Sequence, residues 1–203
     1  MRGEENEVKV EAAATALRDG QLAIVVDPAA LNGAGRGFFL HAAALATADI
    51  VATAILHGRG LTCFSVTPGQ AMRLGLTLAG EYRQDHRGPL FLRSVEAATC
   101  EGTGISAEDR ALTLRAAGDP AAGITSLKSP GHVLPAMTSS NGGVANQALA
   151  VLRRLTPHDV AAWTDILDDD GELASAVWCA ALAERIGVPC VDLADLHAEA
   201  ATP

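Results

Sequence analysis

The residues that could do chemistry in this 203-residue chain are few and widely separated. Asp165 follows Trp163 by two positions in a β-rich run. A carboxylate held against an indole has its charged form disfavoured, which suits a general base, although an Asp at a strand end is also a common turn acceptor. Arg36, on the loop Gly33-Ala34-Gly35-Arg36-Gly37, can meet a carboxylate or an enolate, or point into water. In His57-Gly58-Arg59-Gly60 the imidazole and guanidinium can contact a ligand or simply complement the end of a helix. Thr103 and Ser106 precede a helical pattern, where hydroxyls and free N–H groups receive an anion or carbonyl, though capping alone also explains them. His132, after Pro130-Gly131, either borders a site or is a bonded structural imidazole. Cys63 lies in an apolar run and reads as a packed thiol. The run Asp168-Asp169-Asp170-Gly171-Glu172 lacks the spaced oxygen ligands of a calcium loop and reads as a solvated turn.

Alternating helices and strands must position these groups. Residues 8–18 carry helix formers and stop at Asp19-Gly20, and Leu22 to Val26 is a short strand. Phe38 to Ala43 reads as a strand. Thr47 caps a helix with Ile50, Val51, Ile55 and Leu56 on its apolar face. Leu61 to Val66 is a strand, and Pro68 opens a short helix to Leu74. Ser106 caps a helix over 107–117, His132 to Ala136 is a strand, and Ala145 to Leu155 a helix. Ala162 to Leu167 is a strand, followed by a helix near Glu172 to Ile186, a strand Val188 to Asp192 and a terminal helical turn. No repeat or long linker interrupts the pattern, so the expectation is one mixed α/β domain over residues 1–203.

Composition narrows the function classes. With 49% hydrophobic and 19% charged residues the chain should fold. A formal charge of -9, with no basic run longer than Arg153-Arg154, argues against nucleic acid. Phe38 to Leu56 is interrupted by His41 and Asp49 and reads as strand, cap and buried helix, so no membrane partner is expected. Cys63, Cys100, Cys179 and Cys190 form no CxxC pair, and the charged N-terminus lacks an apolar leader core. A cytoplasmic protein is expected.

Several segments together resemble the 3,4-dihydroxy-2-butanone 4-phosphate synthase family, riboflavin-pathway enzymes that convert ribulose 5-phosphate to a four-carbon ketone phosphate and formate. The likeness runs in order through Ala16-Leu17-Arg18-Asp19-Gly20, Val25-Val26-Asp27, His57-Gly58-Arg59-Gly60-Leu61, Cys63, Thr103-Gly104-Ile105-Ser106, Asp109-Arg110, Pro130-Gly131-His132-Val133 and Asp169-Asp170-Gly171. It covers about residues 10–197. It implies a three-layer mixed α/β fold, a mixed twisted sheet covered by helices, and a homodimer with active sites at the subunit interface.

The resemblance also implies an acidic loop after the first strand, and here the chain departs from it. With Gly37 taken as the loop's central glycine, Ala34 stands where a metal-binding glutamate belongs and Phe38 where the acid-base aspartate belongs. No Asp or Glu lies between Asp27 and Asp49. In the later Asn141-Gly142-Gly143-Val144-Ala145-Asn146 segment, Val144 replaces a metal-binding histidine and Asn141 a phosphate-binding arginine. Asp165 takes the place of a catalytic glutamate, one methylene shorter.

Apolar replacements at Phe38, Val144 and Trp163 point to a less polar ligand. The expected function is therefore a repurposed enzyme, without metal or other cofactor, performing rearrangement, cyclisation, elimination or condensation of a small, largely apolar, non-phosphorylated intermediate, in secondary metabolism. Asp165, Arg36 and Arg59 are its expected catalytic residues; Phe38, Val144, Trp163, His57, Thr103, Ser106, His132 and Asn146 are its expected substrate contacts. An inactive paralogue serving as a ligand-binding or partner subunit is the alternative, and the authentic riboflavin-precursor reaction a third, because that chemistry uses a divalent ion to steer an enediol.

Overall fold

Thr47 turns an extended segment into a helix: its hydroxyl accepts a hydrogen bond from the Ile50 amide at 3.3 Å, satisfying one of the free N–H groups of the first turn. Ser106 and Ser175 do the same for two later helices, and Thr67 forms a reciprocal capping box with Gln70. The computed structural model describes residues 2–81, 89–140 and 142–198. In chain order these form α1 (Arg2–Arg18), β1 (Ala23–Asp27), β2 (Arg36–Ala42), α2 (Ala48–Gly58), β3 (Cys63–Val66), α3 (Pro68–Arg73), β4 (Leu90–Phe91), β5 (Val95–Ala97), α4 (Ala107–Gly118), β6 (Leu127–Met137), α5 (Val144–Leu155), β7 (Ala161–Asp165), α6 (Ala176–Ile186), β8 (Cys190–Asp192) and α7 (Leu193–Ala198).

The strands build one eight-stranded sheet in the order β4-β6-β3-β7-β2-β1-β8, with β5 added against β6. β1 with β8 and β3 with β6 are parallel, and the other pairs are antiparallel, so the sheet is mixed. Its two faces follow from period-2 alternation. Val25, Phe38, Leu40, Cys63 and Trp163 share one hydrophobic cluster with residues of α1, α5 and α7. Their chain neighbours Ile24, Phe39, Phe64 and Ala162 fall into two clusters on the opposite face, with residues of α2, α3, α4 and α6. Three layers result, as expected of a mixed α/β domain.

Several boundaries differ from the sequence reading. The acidic run after β7 is a turn, in which the Asp168 carboxylate accepts from the Asp170 and Glu172 amides, each at 3.0 Å. α6 starts only after Ser175, four residues beyond the acidic turn's end at Gly171. Leu56, placed on the apolar face of α2, is 70% exposed. β4 and β5 had no sequence signal; they are two and three residues long and exist through pairing with β6. No helix among the described residues is long and apolar enough to cross a membrane.

Candidate active site

β2 and β7 bring the two central candidates together. The loop after β1 reaches Gly35 in the left-handed region (φ +75°), where a Cβ would also meet that of Ala176 at 2.8 Å. Arg36 then opens β2. Phe38 pairs with Asp165 across the antiparallel ladder, so Arg36, two residues earlier, is Asp165's diagonal neighbour on the same face. Its Nη2 donates to the Asp165 carboxylate at 2.5 Å, with 18% and 28% of the two side chains exposed. Burial raises the pKa of Asp165, and the adjacent guanidinium opposes that rise by attraction and hydrogen bonding. Arg36 Nε is buried without a hydrogen-bond partner.

This geometry changes the reading of the glycine loop. Gly37 is a strand residue paired with Val26, and a Cβ there would lie 2.6 Å from the Cys179 sulfur. The glycine whose conformation turns the loop into the strand is Gly35, and the residue that follows it is Arg36. The strand read from Phe38 therefore begins two residues earlier, at Arg36, and Phe38 lies within it.

Phe38, Val144 and Trp163, from three separate segments, do meet in one cluster. They meet as packing, with exposures of 0%, 3% and 2%. Trp163 pairs with Leu40 and with Cys63 in the interior of the sheet, and its side chain joins the cluster shared with α1 and α5; its Nε1 is buried with no hydrogen-bond partner. Burial, reinforced by the Asp165 charge, pushes the Cys63 thiol up, which keeps it a protonated packing group.

The other candidates occupy separate places. Arg59, in the left-handed conformation that ends α2, donates to the Asp168 carbonyl (2.7 Å) and the Asp169 carboxylate (3.0 Å), so it braces the acidic turn. His57 is half-buried in the last turn of α2. Gly60 packs so closely that a Cβ would strike the Asp165 carbonyl oxygen, which ties this segment to the end of β7. Thr103 and Ser106 are exposed, with Ser106 accepting from the Asp109 amide at 3.0 Å. Exposed His132 has its Nδ1 3.9 Å from Glu96. Glu96 also approaches Lys128 at 3.4 Å and packs against Gly104, so His132 and the Thr103–Ser106 segment form a second locus. Asn146 is bonded both ways to the Ser139 backbone (3.2 and 2.9 Å) and borders a groove of about 280 Å³ between α5 and α7. Asn141 lies outside the described residues.

Two contacts were missed. Glu96, a half-buried carboxylate beside His132, sits on a three-residue strand with no pattern of its own. Gln147 donates to the Asp27 carboxylate at 2.7 Å across 120 residues of chain, a pairing that only the fold creates. Among the described residues no three His, Cys, Asp or Glu side chains gather as metal ligands would.

A mixed sheet between two helical layers, with charged groups meeting at the end of its antiparallel β2–β7 pair, defines a three-layer α/β protein. The model of the 3,4-dihydroxy-2-butanone 4-phosphate synthase family matches residues 11–199, and the chain belongs to that family. The synthase of Edwardsiella ictaluri is 33% identical over 197 residues, covering 94% of this chain and 88% of that one. That of Proteus mirabilis is 32% identical over 198 residues, covering 94% and 89%. Among solved structures, a two-domain 3,4-dihydroxy-2-butanone 4-phosphate synthase from A. baumannii superposes with a TM-score of 0.81 at 27% identity, over 92% of this chain and 56% of that one. A synthase in complex with two magnesium ions gives 0.79 at 28% identity, over 93% and 94%. The family is one of lyases, and the fold expectation holds.

Proposed function

We propose that this chain is a metal-independent member of its family, acting in the cytoplasm on a small, largely apolar, non-phosphorylated intermediate of secondary metabolism by rearrangement, cyclisation, elimination or condensation. The observation that carries this reading is the Arg36–Asp165 contact at the end of the β2–β7 pair: a partly exposed carboxylate with its pKa raised by burial, touching a fixed cation. Asp165 takes a proton from a carbon beside a carbonyl, the C–H electron pair becomes a new C=C bond as the carbonyl π pair moves onto oxygen, and Arg36 donates N–H bonds to the enolate so formed. Arg59 acts from further back, holding the turn that follows β7. By analogy with the family, two copies assemble as a homodimer.

The direct test is incubation with ribulose 5-phosphate and magnesium. No formate above background is expected; steady formate production abolished by EDTA overturns the reading in favour of the reaction for which the curated relatives are named. Ala34→Glu with Val144→His is expected not to rescue that reaction, since Asn141 still stands in place of the phosphate-binding arginine. A second reading, a non-catalytic partner or ligand-binding subunit, is favoured by the burial of Phe38, Val144 and Trp163. Complementation of a gene deletion separates the two: Asp165→Asn fails to restore the lost metabolite if the chain turns over a substrate, and restores it fully if it does not.

A further inference from the structure

Two carboxylates stand at the same end of the sheet, on the face covered by α1 and α5. Asp27 ends β1, and Asp165 ends β7. Asp27 is occupied by its own surroundings, its oxygens accepting from the Ala29 amide at 3.2 Å and Gln147 Nε2 at 2.7 Å. The residues between it and β2 add no oxygen anion, since Leu31, Asn32, Gly33, Ala34 and Gly35 are all uncharged. Asp165 is mostly buried and needs a positive charge beside it; Arg36 supplies it at 2.5 Å.

We infer that the Arg36 guanidinium is a built-in cation that takes the place of a divalent ion at this end of the sheet, balancing the charge of ionised Asp165 and keeping metals out. This rests on the proposed metal-independent reading and deepens it. A surface arginine making a casual ion pair keeps Nε in water. Here only 18% of the side chain is exposed and Nε is buried. The side chain is also aimed by its anchors, because Gly35 fixes the entry to β2 and the Phe38–Asp165 register fixes the distance to the carboxylate. A dication approaching Asp165 would meet a like charge that cannot leave, since it is covalently part of β2. Metal-independence is then carried at this end of the sheet by Arg36, and the missing ligand at Val144 is its corollary.

Two measurements on the full chain test this. Calorimetric titration with Mn²⁺ should show no saturable binding to the unaltered protein. Arg36→Asp should gain a saturable Mn²⁺ site that Asp165→Asn, added to it, abolishes. In a metal-free thermal-melting cycle, Arg36→Met and Asp165→Asn should each lower Tm, and the double variant should recover most of the loss, because neither charge is left alone. Mn²⁺ binding by the unaltered protein that Asp165→Asn removes overturns both this inference and the metal-independent reading. An unaltered protein blind to Mn²⁺, with strictly additive Tm losses or with a folded Arg36→Asp variant that stays blind, overturns this inference alone.

Discussion

His41 lies on the buried stretch of β2, 3% exposed, with its Nδ1 3.3 Å from the Ala42 carbonyl. Burial pushes its pKa down from 6.5 to about 4, so the folded protein keeps the imidazole neutral where the unfolded chain would protonate it. The stability tied to this group is complete above pH 6.5 and is lost as pH falls toward 4. At about 1.4 kcal/mol per pKa unit the loss is on the order of 3 kcal/mol. Urea unfolding across that range should show a clear decline for the natural chain and a flatter profile for His41→Leu; parallel profiles would remove His41 from the account. At the same scale, Arg36 and Asp165 were legible because few charged residues stood near apolar runs. Their contact was not legible, because it joins positions 129 apart through a strand register that no local pattern encodes. The start of β2 was read two residues late for a related reason. In the sequence Gly33, Gly35 and Gly37 look equivalent, and only backbone conformation shows that Gly35 turns the chain while Gly37 admits α6.

The elements owe their positions to caps and to close approaches, and both can be perturbed singly. Thr47→Ala removes the side-chain acceptor at the start of α2 and should cost about 1 kcal/mol in chemical denaturation. Gly37→Ala should cost more, because its methyl would meet both Sγ (2.6 Å) and Cβ (2.9 Å) of Cys179, forcing α6 away from β2. Phe38→Ala, which empties a fully buried site in the cluster between the sheet and α1 and α5, should cost about 3–5 kcal/mol. If instead it left stability unchanged while altering ligand binding, Phe38 would be a pocket wall rather than packing. Helices with a hydroxyl cap and a periodic face were legible for this reason: their signals are local. α6 was placed too early because Glu172 looks like a first-turn acid, whereas the Asp168 side chain holds that stretch in a turn. β4 and β5 were invisible because two or three residues carry no period.

At the scale of the molecule, the three-layer architecture could be anticipated from alternating elements, while the assembly depends on which surface is left uncovered. Leu61 and Ile105 are 60% and 55% exposed although each belongs to a segment shared with the family. Their positions are related through the sheet. Cys63 pairs with Leu134 on one side and Trp163 on the other, so Leu61, two residues before it, lies toward the end of the sheet that carries His132 on β6 and Asp165 on β7. Ile105 follows Gly104, whose Cβ position lies 3.0 Å from His132 Nδ1. Apolar side chains beside a candidate site are what a partner subunit would cover, and covering them would also shield the Arg36–Asp165 contact from water and strengthen it. Light scattering coupled to size exclusion is therefore expected to give twice the monomer mass at micromolar concentration. Leu61→Glu or Ile105→Glu should shift the population to monomer by burying a charge at the interface, with the circular dichroism spectrum unchanged. A monomer mass for the natural chain would reject the homodimer, and a dimer insensitive to both substitutions would move its interface to another face.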